Sequence, residues 1–304
     1  MSALEVCLVR HGESVSNAAG IWQGQGDSPL SDKGRTQAEF LGSALSDEHF
    51  DLAISSDLSR AADTGRAVGR DLELDAEWRE IDVGTWEGLT MEQVVERYPE
   101  QIEALRQRKT FSVGGGESWP EVFARADRAL ANLRSSMTEG GRVIVFTHGG
   151  IIAAIMAGLI GARDRWPWPF GRMRNTGRTT LRFVDDRIEL LGHNDDSHVP
   201  DEHRRTYVPR KDQAVLRLVA NGQPEAASGD PAGLDFNSAI KVARVKGAGE
   251  VMSVSGTGAE VASLVQEAVA ASSSDFRFVA PAIGTATEVL VSPEHTMLLD
   301  YGLA

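Results

Sequence analysis

Apolar and polar positions follow two different periods along this chain. Short apolar runs stop abruptly at polar residues: Glu5 to Arg10, Asp51 to Ser56 and Val143 to Thr147. Each has the length and composition of a buried strand. Other stretches carry apolar residues at three- and four-residue spacing, which predicts helices over Ser31 to Ala44, Leu58 to Arg70, Met91 to Gln107, Pro120 to Met137 and Ile151 to Ile160. A helical turn is expected over Glu13 to Gly20, and glycine-rich breaks at Gly24 to Gly26 and Gly114 to Gly116. Residues 179–184 and 187–192 read as a strand pair joined by a turn at Asp185-Asp186. Strands alternating with helices predict an α/β fold with a mostly parallel sheet.

Beyond about residue 200 the pattern changes. All six tryptophans lie at or before Trp168, and residues 221–235 are rich in Gly, Pro, Ala and Ser, as in a linker. Strands are then expected over 239–245, 250–254, 276–280, 287–292 and 296–300, with a helix over 259–271. The predicted organisation is a first domain over 1–200, a linker over 201–235 and a small α+β appendage over 236–304. Gly256-Thr257-Gly258 ahead of that helix reads as a tight turn.

Composition narrows the classes of function. With 41% hydrophobic and 25% charged residues the chain is ordinary for a globular protein. Its formal charge of −13 disfavours nucleic-acid binding, so an anionic substrate would have to meet a local basic pocket. The single cysteine, Cys7, lies in the first apolar run and fits a reducing compartment. The longest apolar helical stretch, Ile151 to Ile160, is too short to span a bilayer, so the expectation is a cytoplasmic protein with no membrane association.

Two of the apolar runs end alike. The first leads into Arg10-His11-Gly12, the other into Thr147-His148-Gly149-Gly150. In open α/β sheets, ligands bind at the carboxyl edge of the strands, where both histidines would sit. A histidine beside an arginine suits phosphoryl chemistry: a neutral imidazole as nucleophile, a planar cation for the anion, and an acid for the leaving oxygen. His11, His148, Arg10, Arg60 and Glu80 are the candidates.

These motifs resemble those of the histidine phosphatase superfamily, the phosphoglycerate-mutase-like group. Val9-Arg10-His11-Gly12-Glu13 is similar to its nucleophile motif, with Ser14 where threonine is more usual and Asn17 at the expected spacing. Leu30 to Ala38 resembles its "LTEKGRxQA" helix start, and Ser55 to Thr64 its second-arginine motif. Trp78 to Gly88 resembles "LREIxxGxWEG", Phe146 to Gly150 the second-histidine motif, and His193 to His198 a frequent closing segment. The resemblance covers about residues 4–200.

The resemblance implies a three-layer sandwich and a metal-independent phosphatase acting on a small-molecule phosphomonoester, with no cofactor. His11 would become phosphohistidine, while Arg10, Arg60 and His148 hold the phosphoryl oxygens and Glu80 serves as general acid and base. Asn17, Gln23, Gly24 and Gly149 would line the substrate side, and helix N-termini after Gly12 and Gly149 would add backbone donors. A mutase of the group would carry "RHYGxLQG" where this chain has Ile81 to Gly88, which favours hydrolysis. Phosphoglycerate-mutase-type transfer and a non-catalytic phospho-ligand binder on the same fold are the alternatives. Glu13 and Glu87 are expected to be structural, His193 and His198 to be caps or loop residues, and Trp22, Trp78 and Trp86 to be core, with Trp22 near the substrate. Arg97, Arg106, Arg108 and Lys109 are expected to form a solvated basic face, although they fall where the group places its variable substrate-facing insert and one or two would reach the leaving group. The C-terminal segment goes beyond the group's usual end and is expected to be a dimerisation domain, as in a homodimer, or a substrate-covering domain, or else a regulatory or carrier-docking module.

Overall fold

A computed structural model describes residues 3–107, 109–164, 170, 172–204, 214–220, 251–256, 261–263, 265–266, 276–278, 286–291 and 296–303. The first strand, β1 (Leu4–Arg10), pairs in parallel with β4 (Gly141–Thr147), which pairs in parallel with β2 (Leu52–Ser55), and β2 with the short β3 (Glu73–Leu74). On its other side β1 meets β5 (Arg178–Val184) antiparallel, and β5 meets β6 (Arg187–Asp195) antiparallel. The order β3-β2-β4-β1-β5-β6 gives the mixed, mostly parallel sheet that the patterning predicts.

The two-residue period of the strands sorts their side chains into two cores. Cys7 and Val9 of β1, with Ile144 and Phe146 of β4, pack with Leu41 of helix α2 (Asp32–Ala44) on one face. Helix α3 (Ser59–Ala67) packs beside α2 on that face. Val6 and Leu8, with Val143 and Val145, pack on the other face with α6 (Trp119–Ser136) and α7 (Gly149–Leu159). The result is three layers. Each fully buried Leu or Val contributes roughly 1.5–3 kcal/mol.

Local chemistry sets the helix boundaries. Ser31 caps α2 by accepting the Gly34 N–H at 3.0 Å, and Ser14 caps the short α1 (Val15–Ala18) by accepting the Asn17 N–H. The single helix expected over 91–107 is two, α4 (Met91–Arg97) and α5 (Pro99–Arg106), because Pro99 excludes the helical conformation at Tyr98 and opens the second helix at its first position.

The C-terminal strands continue the same sheet. Strand β7 (Ala214–Ala220) falls in the stretch expected to be linker and pairs with β8 (Val251–Gly256) and β10 (Ala286–Val291). β10 pairs with β11 (Thr296–Leu303), which reaches β6 at Tyr301 opposite His193, while β9 (Phe276–Phe278) pairs with residues 188–190 of β6. Residues 261–263 and 265–266 are helical, in agreement with the helix expected there. Val261, Val265, Phe276 and Leu298 are buried in the cluster that also holds Phe183 and Leu190. The strand expected over 239–245 lies outside the described residues.

One backbone contact fixes the loop after β1. A Cβ at Gly12 would stand 2.5 Å from the Gly34 carbonyl oxygen, and one at Gly34 only 1.9 Å from that of Glu13. Gly12→Ala and Gly34→Ala are each expected to lower stability by about 1–3 kcal/mol, because neither backbone can yield cheaply. Urea unfolding checks this, and unchanged midpoints would show that the two segments part freely.

Candidate active site

The strand register brings the candidate residues to one edge. Arg10 lies opposite Thr147, and Phe146 opposite Ser55, so the next residues on all three strands share the carboxyl end of the sheet. Backbone bonds carry the pairing one step further: His11 N–H donates to the Thr147 carbonyl at 3.0 Å, and Ser56 N–H to that of Phe146 at 2.9 Å. The His11 and His148 rings consequently face each other with centroids 5.0 Å apart and an interplanar angle of 59°. Both are buried.

His11 Nδ1 lies 2.6 Å from the Gly12 carbonyl oxygen. That oxygen can only accept, so Nδ1 carries the proton and Nε2 keeps its lone pair. Burial, then the Arg10 and Arg60 cations, hold His11 well below the ordinary histidine range, with the Gly12 carbonyl opposing them. His148 is lowered in the same way by burial and by Arg60, His11, Arg10 and Arg125. Two neutral imidazoles thus stand among guanidinium groups.

The cations are held by neutral oxygens. Arg60 on α3 donates to the carbonyls of Gly24 and Gly26, both at 2.8 Å. Gly24 adopts a φ of +51° with Val83 against its backbone, which turns its carbonyl to Arg60. Arg10 donates to the Met173 carbonyl at 2.7 Å and to Asn17 Oδ1 at 3.2 Å. Gln23 accepts the Ser14 hydroxyl at 2.8 Å, which ties the Gln23–Gly24 loop to the nucleophile loop. Gly149 packs beside Arg10, since a Cβ there would lie 3.5 Å from Arg10 Nε.

Glu80 lies across the start of α7. Its Oε2 accepts the Gly150 N–H at 3.1 Å and its Oε1 the Ile81 N–H at 3.0 Å. A side chain at Gly150 would collide with it, a Cβ falling 2.2 Å from Oε1. This revises the expectation for the helix N-termini: α1 is capped by Ser14, and the Gly150 donor at α7 goes to the Glu80 carboxylate.

Among the neighbouring residues, one expectation changes. His193 is neither cap nor loop, because β6 runs on to Asp195 and buries it against Phe170, with Nδ1 at 3.1 Å from Thr179 Oγ1. His198 lies 3.1 Å from Thr176 Oγ1. Trp22 stands edge-on to Trp86 at 5.6 Å. Glu13 accepts the Ser31 hydroxyl at 3.0 Å, a structural contact. Arg97, Arg106 and Lys109 are exposed, and Arg108 lies outside the described residues.

Two supporting residues escaped the sequence. Arg125 of α6 makes a two-pronged pair with Glu117 at 2.8 and 2.7 Å, and donates to the carbonyls of Glu77, Arg79 and Glu80. Its signal was an arginine inside the apolar stripe of Val122, Ala126 and Ala129. Asn175 donates to the His11 carbonyl at 3.0 Å and to Asn17 Oδ1 at 3.4 Å, from a turn in which Thr176 has a φ of +57°. Among the described residues no cluster of three or more His, Cys, Asp or Glu could hold a metal ion, and no helix is long and apolar enough to cross a membrane.

Arg125→Met is expected to cost on the order of 3 kcal/mol in urea unfolding by stranding Glu117. It should lower kcat more than it raises KM, because the Glu80 loop loses its anchor; equal kinetics would remove Arg125 from the site. Buried histidines also set the acid side of stability. Burial, with Arg174, pulls His193 down to about 3, and burial, with Arg178, pulls His198 to about 4. Below the unfolded value near 6.5 the unfolded chain binds more protons, so stability is full above about pH 6.5 and falls from there toward pH 4, by up to about 1.4 kcal/mol per pH unit for each such histidine. Unfolding midpoints across that range check the sign.

The profile of the histidine phosphatase superfamily (branch 1) matches residues 6–196. Glucosyl-3-phosphoglycerate phosphatase of Mycobacterium tuberculosis is 36% identical over 193 residues, covering 60% of this chain and 86% of that protein. Phosphoserine phosphatase 1 of Hydrogenobacter thermophilus is 32% identical over 201 residues, covering 64% and 94%. The solved structure of phosphoglycerate mutase from Bacillus anthracis shares the fold, with a TM-score of 0.56 and 24% identity over 65% of this chain and 95% of that one. The chain belongs to the histidine phosphatase superfamily and is a phosphomonoester hydrolase within it.

Proposed function

We propose that His11 Nε2 is the nucleophile in hydrolysis of a small-molecule phosphomonoester. The observation that carries this is the bond from His11 Nδ1 to the Gly12 carbonyl, which leaves the opposite nitrogen basic in a pocket where the ring stays neutral. Nε2 attacks phosphorus, the bond to the leaving oxygen breaks, and Glu80 gives that oxygen its proton. Glu80 then takes a proton from water as the water attacks phosphorus and the N–P bond breaks, its electron pair returning to His11 Nε2, which releases inorganic phosphate. Arg10, Arg60 and His148 stabilise the equatorial oxygens as charge builds. Asn17 and Gln23 act by holding Arg10 and the substrate loop.

Catalysis then resides within residues 1–200. The substrate is a compact phosphorylated metabolite, of which phosphoserine and glucosyl-3-phosphoglycerate, the substrates named for the two relatives, are the first to try. A net charge of −13 disfavours a nucleic acid and leaves capture of a small anion to the local cations.

Phosphate release from a panel of these esters tests the assignment. His11→Ala is expected to abolish turnover, and Glu80→Gln to lower it by about 10²–10⁴-fold while acid-labile phosphohistidine accumulates. Equal release by wild type and His11→Ala would reject the nucleophile. Isomerisation of 3-phosphoglycerate without phosphate release would instead indicate a mutase.

A further inference from the structure

Ser56 stands just past β2 and is fully buried. Its Oγ lies 2.9 Å from His148 Nε2 and 3.3 Å from the backbone nitrogen of Leu58. The Leu58 N–H can only donate, so it occupies a lone pair of the serine oxygen. The other nitrogen of the His148 ring, Nδ1, is buried and has no hydrogen-bond partner among the described residues. Nor does Arg60 Nε.

A neutral His148 has two tautomers with different consequences. With the proton on Nε2, the ring would donate to Ser56 and leave the serine hydrogen to find another acceptor, while an Nδ1 lone pair met an approaching anion. With the proton on Nδ1, Ser56 donates to Nε2 and accepts from Leu58, so every bond is satisfied, and Nδ1–H is a donor to an anionic oxygen. We propose that Ser56 is a positioning residue: its hydroxyl fixes His148 in the Nδ1–H form, so that a neutral imidazole donates a hydrogen bond to the phosphoryl group transferred to His11. The burial and flanking arginines that keep His148 uncharged support the same arrangement. The proposal rests on the assignment of His148 as a phosphoryl-oxygen donor.

Two readouts on the full-length protein test it: ring nitrogen-15 shifts of labelled histidine with inorganic phosphate present, and the rate of His11 phosphorylation in a single turnover with p-nitrophenyl phosphate. Wild type should show His148 protonated on Nδ1. Ser56→Ala should give mixed tautomers and phosphorylate about 10–100-fold more slowly, below the full loss of one oxyanion donor. Ser56→Cys, with its weak S–H donor, should restore part of both. An Nε2–H tautomer in the wild type overturns the proposal without any variant. So does a Ser56→Ala protein that is slow with an unchanged tautomer, or changed in tautomer with an unchanged rate. His148→Ala separates the premise: phosphorylation at the wild-type rate in that variant would reject His148 itself, whatever Ser56 does.

Discussion

Parallel pairing of β2, β4 and β1 extends one residue beyond the strands, through the bonds from His11 N–H to Thr147 and from Ser56 N–H to Phe146. Everything at the site is placed relative to those two bonds. They hold the His11 and His148 rings 5.0 Å apart and bring the Ser56 hydroxyl within 2.9 Å of His148. A parallel sheet buried on both faces is stiff, and its carboxyl edge is the natural mounting for groups that must not drift. The glycine contacts between Gly12 and Gly34 lock the nucleophile loop from the outside, and the Asn175 and Thr64 side chains bond its backbone at His11 and Gly12.

Concentrating positive charge in a buried pocket has an energetic cost that the surroundings must offset. Arg60 meets it with the carbonyls of Gly24 and Gly26, which take one donor from each terminal nitrogen without adding a charge. The field of the arginines is therefore still available to an incoming anion. Burial first, and then the same field, keeps both histidines neutral, which a nucleophilic imidazole requires. Glu80 is held by the N–H groups of Gly150 at the α7 N-terminus and of Ile81.

The residues that end apolar runs were readable because the signal is local: a buried strand that stops at Arg10-His11 or Thr147-His148 has a period and an abrupt end. The layers followed from the same period, Val6 and Leu8 facing α6 and α7 while Cys7 and Val9 face α2. Contacts made across the fold left no such mark. Asn175 reaches the His11 carbonyl from 164 residues away in the chain, and nothing in its own neighbourhood indicates that partner. Arg125 left a weak trace as a charge inside an apolar stripe, but the carbonyls of residues 77–80 that it gathers are invisible to pattern. His193 was misplaced because Gly192 and the polar run after it resemble a loop, whereas pairing with β5 carries β6 to Asp195.

Strand β7 was missed for a related reason: the Gly- and Pro-rich residues after it dominate the composition of the region, although Val215, Leu216, Leu218 and Val219 are good strand formers. Its place in the sheet follows from the physics of β6. With β5 on one side, β6 would present a row of unpaired backbone groups on the other, a liability for a strand of nine residues. β9 pairs with residues 188–190 of that edge and β11 reaches it at His193, so two strands from the C-terminal segment share one border. Phe276 and Leu298 carry the same union into the core, where they are fully buried in the cluster that holds Leu190 and Phe183. Edge pairing and apolar burial therefore act together along β6.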